Sequence, residues 1–415
     1  MKFSRSGARA ASLALVAAVT VAVAPSATAA GVGTITVDAG GHVTVDTRAA
    51  SGYLEVTFDS GVEAVRFNYA GGWGSVAAPC GIDVYGYALC PGAQVEQVTF
   101  VTSEGNDDVN LRDICIPVTI AQLGAGNDRF FNTNECSQPV QSGVNAGAGD
   151  DDIRLPAGAN EVLGGTGNDR ISGGDSADLL RGGPGHDVIW GAGGHDKIWG
   201  EDGNDTLVGN EGNDRLNGGA GNDRFGMPSN DGKDPGNNVV SGGPGVDFAD
   251  FSYADAAVRI SLDNRANDGG GRATGNYRSD IENVTGSPYN DVILGSKYRN
   301  DLDGLWGNDR IDGGGGNDRV FGNSGNDRLF GGSGADRVEG YSGDDIVNGG
   351  GGKDVVYGDS DKCDSWSCQG GADSISVRDG ETDRVACGVG ADVVVADRRD
   401  VIARDGFMRC ERVRR

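Results

Sequence analysis

Gly164-Gly165-Thr166-Gly167-Asn168-Asp169-Arg170-Ile171-Ser172 is a complete unit that recurs along much of this chain. Gly182 to Trp190 and Gly218 to Gly226 repeat its form. Its aspartate returns every nine residues at Asp169, Asp178, Asp187, Asp196, Asp205, Asp214 and Asp223. A second ladder runs in the same step through Asp309, Asp318, Asp327, Asp336, Asp345 and Asp354. Two positions after each Asp stands a large apolar residue: Ile171, Leu180, Ile189, Ile198, Leu207, Leu216 and Phe225, then Ile311, Val320, Leu329, Val338, Val347 and Val356. A fixed period of this kind means stacked repeats. Each unit is one small element that buries its apolar residue only against its neighbours.

The spacing dictates a geometry. Glycines let a short turn take positive φ and bring its carbonyls together. A short strand follows, its middle side chain pointing inward and its neighbours outward. Two units close one coil of a flattened parallel solenoid, so residues one coil apart stack at roughly 4.8 Å. Asp169 then lies over Asp187, and Asp178 over Asp196. Stacked carboxylates repel unless a cation lies between them. Ca²⁺ accepts many oxygen ligands in flexible geometry, which suits carboxylates plus turn carbonyls; Mg²⁺ demands a tight octahedron and dehydrates reluctantly.

On these residues the chain resembles the RTX family, the hemolysin-type calcium-binding repeat proteins. The resemblance spans residues 146 to 358. It implies an all-β fold, a right-handed parallel β-roll (a β-solenoid) with Ca²⁺ held between successive turns. Position by position it pairs Asp169 with Asp187, Asp178 with Asp196, Asp187 with Asp205, Asp196 with Asp214 and Asp205 with Asp223. The second block pairs Asp309 with Asp327, Asp318 with Asp336, Asp327 with Asp345 and Asp336 with Asp354. Asn160 and Asn300 stand in Asp positions, where weaker sites are expected, and Asp151 and Asp291 stand one unit further out.

Charge agrees with a cation-binding role. The chain has 61 acidic and 35 basic residues, a formal charge of −26. That charge opposes compaction and disfavours nucleic acid as a partner. With 74 glycines and one large inward side chain per unit, the core is too thin to offset chain entropy and repulsion alone. Folding is therefore expected to be coupled to metal uptake.

The first 30 residues read as a secretion signal. Lys2, Arg5 and Arg9 form a basic start, Ala10 to Ala24 an apolar stretch, and Ala27-Thr28-Ala29 a cleavage site. The expected compartment is extracellular, with no membrane span, since no apolar run is long enough for one. Eight cysteines (Cys80, Cys90, Cys115, Cys136, Cys363, Cys368, Cys387 and Cys410) all lie outside the repeats. They suit an oxidising compartment, and sequential pairing is the expectation, including Cys387 with Cys410. The chain divides into the signal at 1–30, a β-rich lead-in or cap at 31–145 and a first roll at 146–226. An insertion with re-entry strands follows at 227–285, then a second roll at 286–358 and a disulfide-stapled C-terminal cap at 359–415.

No catalytic pattern emerges. There is no H-E-x-x-H, no Ser in G-x-S-x-G, and His186 and His195 read as surface turn residues. Outward arginines (Arg170, Arg215, Arg224, Arg310, Arg319, Arg328, Arg337) and aromatics (Trp190, Trp199, Phe321, Phe330, Tyr357) read first as a solvated or mutually packed surface. They leave room for an extracellular glycan or cell-wall polymer. The reading is a non-enzymatic, secreted calcium-binding scaffold. The alternatives are a polysaccharide lyase or epimerase, separable by turnover assays on uronate polymers, and a Ca²⁺-dependent adhesin, separable by glycan pull-down.

Overall fold

The computed structural model describes residues 105–112, 118–132, 141–155, 157–226, 236–270, 275–359, 370–403 and 410–415, with individual strands between 33 and 102. The signal reading at 1–30 and Cys80, Cys115, Cys136, Cys363 and Cys368 lie outside them. Among the described residues every element is a strand. They wind into a parallel β-solenoid of about 15 turns.

The nonapeptide period sets the strand pairing. Arg170–Gly174 pairs in parallel with Val188–Ala192, Ile171 opposite Ile189. On the other side Leu179–Pro184 pairs with Lys197–Asp202, Leu180 opposite Ile198. The eighth-position residues from Ile171 to Ile198 and from Ile311 to Val356 face one another across the two sheets and are buried in one continuous core. Strands run longer than the sequence suggests, because the turns stack as well. The Gly185 N–H donates to the Asp202 carbonyl at 2.8 Å, and Gly203 to Ala220 at 2.7 Å.

One sheet runs unbroken through both blocks. Its register passes from Arg224 to Phe248, from Phe248 to Asn283, and from Asn283 to Asp301. The re-entry segment Asn283–Thr285 is thus an ordinary rung. The opposite side changes sheets. The first companion sheet ends at Asn276–Tyr277, and the parallel run of the second begins at Val258–Ser261, edged by antiparallel Gly269–Gly270. Asp268 bridges that seam, accepting the Ser261 N–H at 2.6 Å and the Tyr277 N–H at 2.7 Å.

Both ends extend the solenoid. Gln97–Val101, Val118–Ala125 and Gln141–Ala148 pair in parallel before the first full repeat. Antiparallel strands Gly33–Val37 and Ala64–Tyr69 lie beyond that start, an arrangement that interrupts a parallel edge. The disulfide-stapled C-terminal piece is itself built of coils: Ile346 pairs with Ser374, Ser374 with Val393, and Val393 with Arg412. Cys387 and Cys410 are joined as expected, Cα–Cα 5.0 Å.

Candidate metal-binding turns

Most turns end in an aspartate that folds back beneath its own glycine; Asn160, Asn238 and Asn300 hold the same place in three others. Asp151, Asp169, Asp178, Asp187, Asp196, Asp205, Asp214 and Asp223 are buried, as are Asp291, Asp309, Asp318, Asp327, Asp336, Asp345 and Asp354. One carboxylate oxygen is used the same way throughout. The Asp187 Oδ1 accepts the Asp169 main-chain N–H at 2.8 Å, and Asp205 accepts from Asp187 at 2.8 Å. Asp327 accepts from Asp309, and Asp345 from Asp327, both at 2.8 Å. The one-coil stacking expected from the spacing is therefore present, fixed by a side-chain-to-backbone ladder.

The second oxygen, Oδ2, is different. In Asp151, Asp169, Asp178, Asp187, Asp196, Asp205, Asp214 and Asp223 it is buried with no hydrogen-bond partner, and the same holds from Asp309 to Asp354. A methyl group on Gly164 would sit 2.4 Å from the Asp169 Oδ2 and 2.6 Å from the Gly182 carbonyl oxygen. At Gly200 the distances are 2.1 Å to Asp205 Oδ2 and 2.5 Å to the Gly218 carbonyl. An oxygen of one coil and a carbonyl of the next thus face one small space, which glycine keeps open. Leaving buried carboxylates unpaired costs heavily, so the arrangement fits a cation. Among the described residues no three Asp, Glu, His or Cys side chains converge on one point. An ion here takes few carboxylates and fills its shell from carbonyls, which suits Ca²⁺ better than a transition metal.

Two candidates depart from the pattern. The Asp291 Oδ2 accepts the Ser287 N–H at 2.5 Å, so it is satisfied within its own turn. Beside Asp151 the glycine is replaced: Ala146 stands where Gly164 stands one coil later.

Burial also shifts the carboxyls. It pushes Asp178 and Asp309 up to about 8, with Asp196 adding to the first and Asp327 to the second. Asp187 is pushed up to about 7 by burial, with Asp169 and Asp205 adding their charge.

The ladder is longer than the two unbroken registers. Asp107 and Asp128 join it at the start, since the Asp107 N–H donates to Asp128 Oδ1 at 2.8 Å. Asp373, Asp383 and Asp392 join it at the end. Their signal was an Asp two residues before an apolar one, as in Asp373-Ser374-Ile375; irregular spacing hid it. Asp247 closes a full Gly242-Gly243-Pro244-Gly245-Val246-Asp247 turn and was obscured by a small inward residue, Ala249. A second, exposed ladder runs one residue earlier. The His186 Nδ1 accepts the Asn204 N–H at 2.8 Å, and the His195 Nδ1 accepts the Asn213 N–H at 2.9 Å. Both histidines are surface turn residues that do the work Asn168 and Asn204 do in neighbouring coils.

Outside, arginines and aromatics pack on one another. Arg181 lies 4.5 Å from the Trp199 ring centre, Arg337 4.9 Å from Tyr357, and Arg310 5.2 Å from Phe330.

The turns between residues 157 and 225 and between 285 and 356 are RTX repeats. The RTX calcium-binding nonapeptide repeat matches the chain in four copies, at residues 157–189, 190–225, 285–320 and 321–356. Repeats of this family bind calcium, and here they occupy about a third of the chain. No curated protein matches the sequence.

Proposed function

We propose that this chain is a secreted calcium-binding scaffold whose folding is driven by cooperative Ca²⁺ uptake between stacked turns. The ladder from Asp169 to Asp223 and that from Asp309 to Asp354 would hold the ions together with turn carbonyls. Bound Ca²⁺ would supply positive charge between coils. The chain's residues set the rest: glycines keep the spaces open, Oδ1 atoms lock the register, and the inward apolar row aligns the coils.

One observation carries this reading. The buried Oδ2 atoms recur coil after coil, nearly all beside a glycine with no room for a side chain, and at Gly164, Gly191, Gly200 and Gly322 a carbonyl of the next coil faces the same space. Such a row of unpaired negative oxygens in a chain of charge −26 is unfavourable without cations. No part of the reading calls for catalysis, and the role is structural. Secretion is supported by the residue pattern at 1–30 and by the Cys387–Cys410 disulfide, a bond of oxidising compartments.

Calorimetry of the chain lacking residues 1–30 tests the reading. Several Ca²⁺ ions per chain should bind with a large heat, and Mg²⁺ at equal concentration should replace them poorly. Uptake of one ion or none contradicts it. Processing at Ala29 is checked by N-terminal sequencing of exported protein.

A further inference from the structure

The unbroken sheet crosses from the first block of repeats to the second through residues 242–250 and 280–285, outside or at the border of the four matched copies. At this crossing the chain departs from its own rule. Gly242 to Asp247 closes like a repeat, but the next coil on that side comes 35 residues later, from Glu282. No glycine turn precedes it; Asp280-Ile281-Glu282 does.

We propose that Asp247 and Asp280 hold a divalent cation of the Ca²⁺ class at this crossing, with Glu282 positioning Asp247, and that the ion ties the two blocks into one unit. The ion's identity rests on the calcium reading of the repeats; the location and ligand set do not.

Asp247 is completely buried, and its Oδ2 has no hydrogen-bond partner. A methyl group on Gly242 would sit 2.1 Å from that oxygen and 2.4 Å from the main-chain oxygen of Asp280. This is the repeat geometry, with an aspartate carbonyl where the repeats present a glycine carbonyl. The substitution brings a second carboxylate. The Asp280 Oδ2 accepts the Ser241 hydroxyl at 2.6 Å, while its Oδ1 is buried and unpartnered. Glu282 takes the positioning part, its Oε2 accepting the Asp247 N–H at 2.9 Å. Asp223, Glu282 and Asp280 crowd negative charge around Asp247. Among the described residues no Lys or Arg forms an ion pair with Asp247, Asp280 or Glu282. More charge in the ligand set than a repeat turn offers makes for tighter Ca²⁺ binding.

Hydrogen exchange of the whole chain across a Ca²⁺ series tests this. In the unaltered chain, peptides covering 239–250 and 276–285 gain protection at or below the Ca²⁺ midpoint of peptides 188–208 and 319–341. Asp280→Asn keeps an acceptor for Ser241 but removes the charge. It should raise the midpoint of the crossing peptides about tenfold and leave their protection at saturation intact. Gly242→Ala, which fills the space and alters no charge, should do the same and decides the matter if Asp280→Asn does not fold. Asp255→Asn, an exposed acid in the same insertion, should change nothing. If the carboxylates merely repel, Asp280→Asn lowers the midpoint; that result, or an unmoved midpoint in both variants, overturns the site. Protection indifferent to Ca²⁺ along the entire unaltered chain would strike the repeat reading itself, and this site with it.

Discussion

Asp187 shows what one residue does in this fold. Its Oδ1 receives the N–H of Asp169, its own N–H donates to Asp205, and its Oδ2 faces the candidate ion space. Asp187→Ala therefore removes a rung of the register ladder and a cation ligand together. Asp151 has a similar bond to Asp128, at 2.7 Å, but Ala146 replaces the glycine beside it. We expect Asp187→Ala to raise the Ca²⁺ midpoint of folding severalfold and Asp151→Ala to move it much less. Equal shifts would mean that the glycine-lined space is irrelevant. The glycine itself can be tested apart from the acid. Gly200→Ala puts a methyl 2.1 Å from Asp205 Oδ2 and should cost as much Ca²⁺ affinity as Asp205→Ala. Calorimetry on the three single variants and Asp205→Ala settles both points.

At the scale of elements, the repeat is legible because its chemistry is periodic, and it fades where the period slips. The rungs from Ile171 to Phe225 and from Ile311 to Val356 could be read directly, since an invariant step makes register unambiguous. The rungs at Phe248–Asp250 and Asn283–Thr285 could not be joined from sequence, because loops of unequal length separate residues that pair. The Oδ1 ladder was also invisible: spacing placed the carboxylates over one another but could not say that backbone N–H groups would occupy one oxygen of each. The C-terminal coils escaped for a similar reason. Ser374–Val377 and Val393–Ala396 carry the strand pattern, but the turns before them are irregular. The Cys387–Cys410 bond, with a sequence separation of 23, compensates for that irregularity by restricting the unfolded chain. Such a loop contributes about 3 kcal/mol in the chain-entropy account. Cys387→Ser with Cys410→Ser should lower the denaturant midpoint of the second block more than that of the first. Segment-resolved hydrogen exchange would show an even loss across both blocks if the bond does not act locally.

The whole molecule is a thin core wrapped in buried negative charge, and its stability should follow pH with a definite sign. Burial raises the carboxyls of Asp178, Asp309 and Asp345 to about 8, whereas in the unfolded chain they return to the ordinary value of 3.8. The folded chain then binds more protons than the unfolded chain across that interval, so in Ca²⁺-free solution its stability falls as pH rises from about 4 to about 8. Protons and Ca²⁺ compete for the same oxygens. By the same linkage, protons on the folded chain partly replace Ca²⁺, so the Ca²⁺ midpoint of folding should be lower at pH 5.5 than at pH 7.5. A midpoint that rises on acidification would show that the buried carboxyls do not take up protons on folding. The central claim, that cations between coils make this fold, is tested most directly by circular dichroism during a Ca²⁺ titration of the chain without residues 1–30, at neutral pH. The account predicts little β-signal without Ca²⁺ and a steep, cooperative rise in the range of about 10⁻⁴ to 10⁻³ M typical of extracellular modules. Full β-signal in a chelator, unchanged by added Ca²⁺, would contradict it.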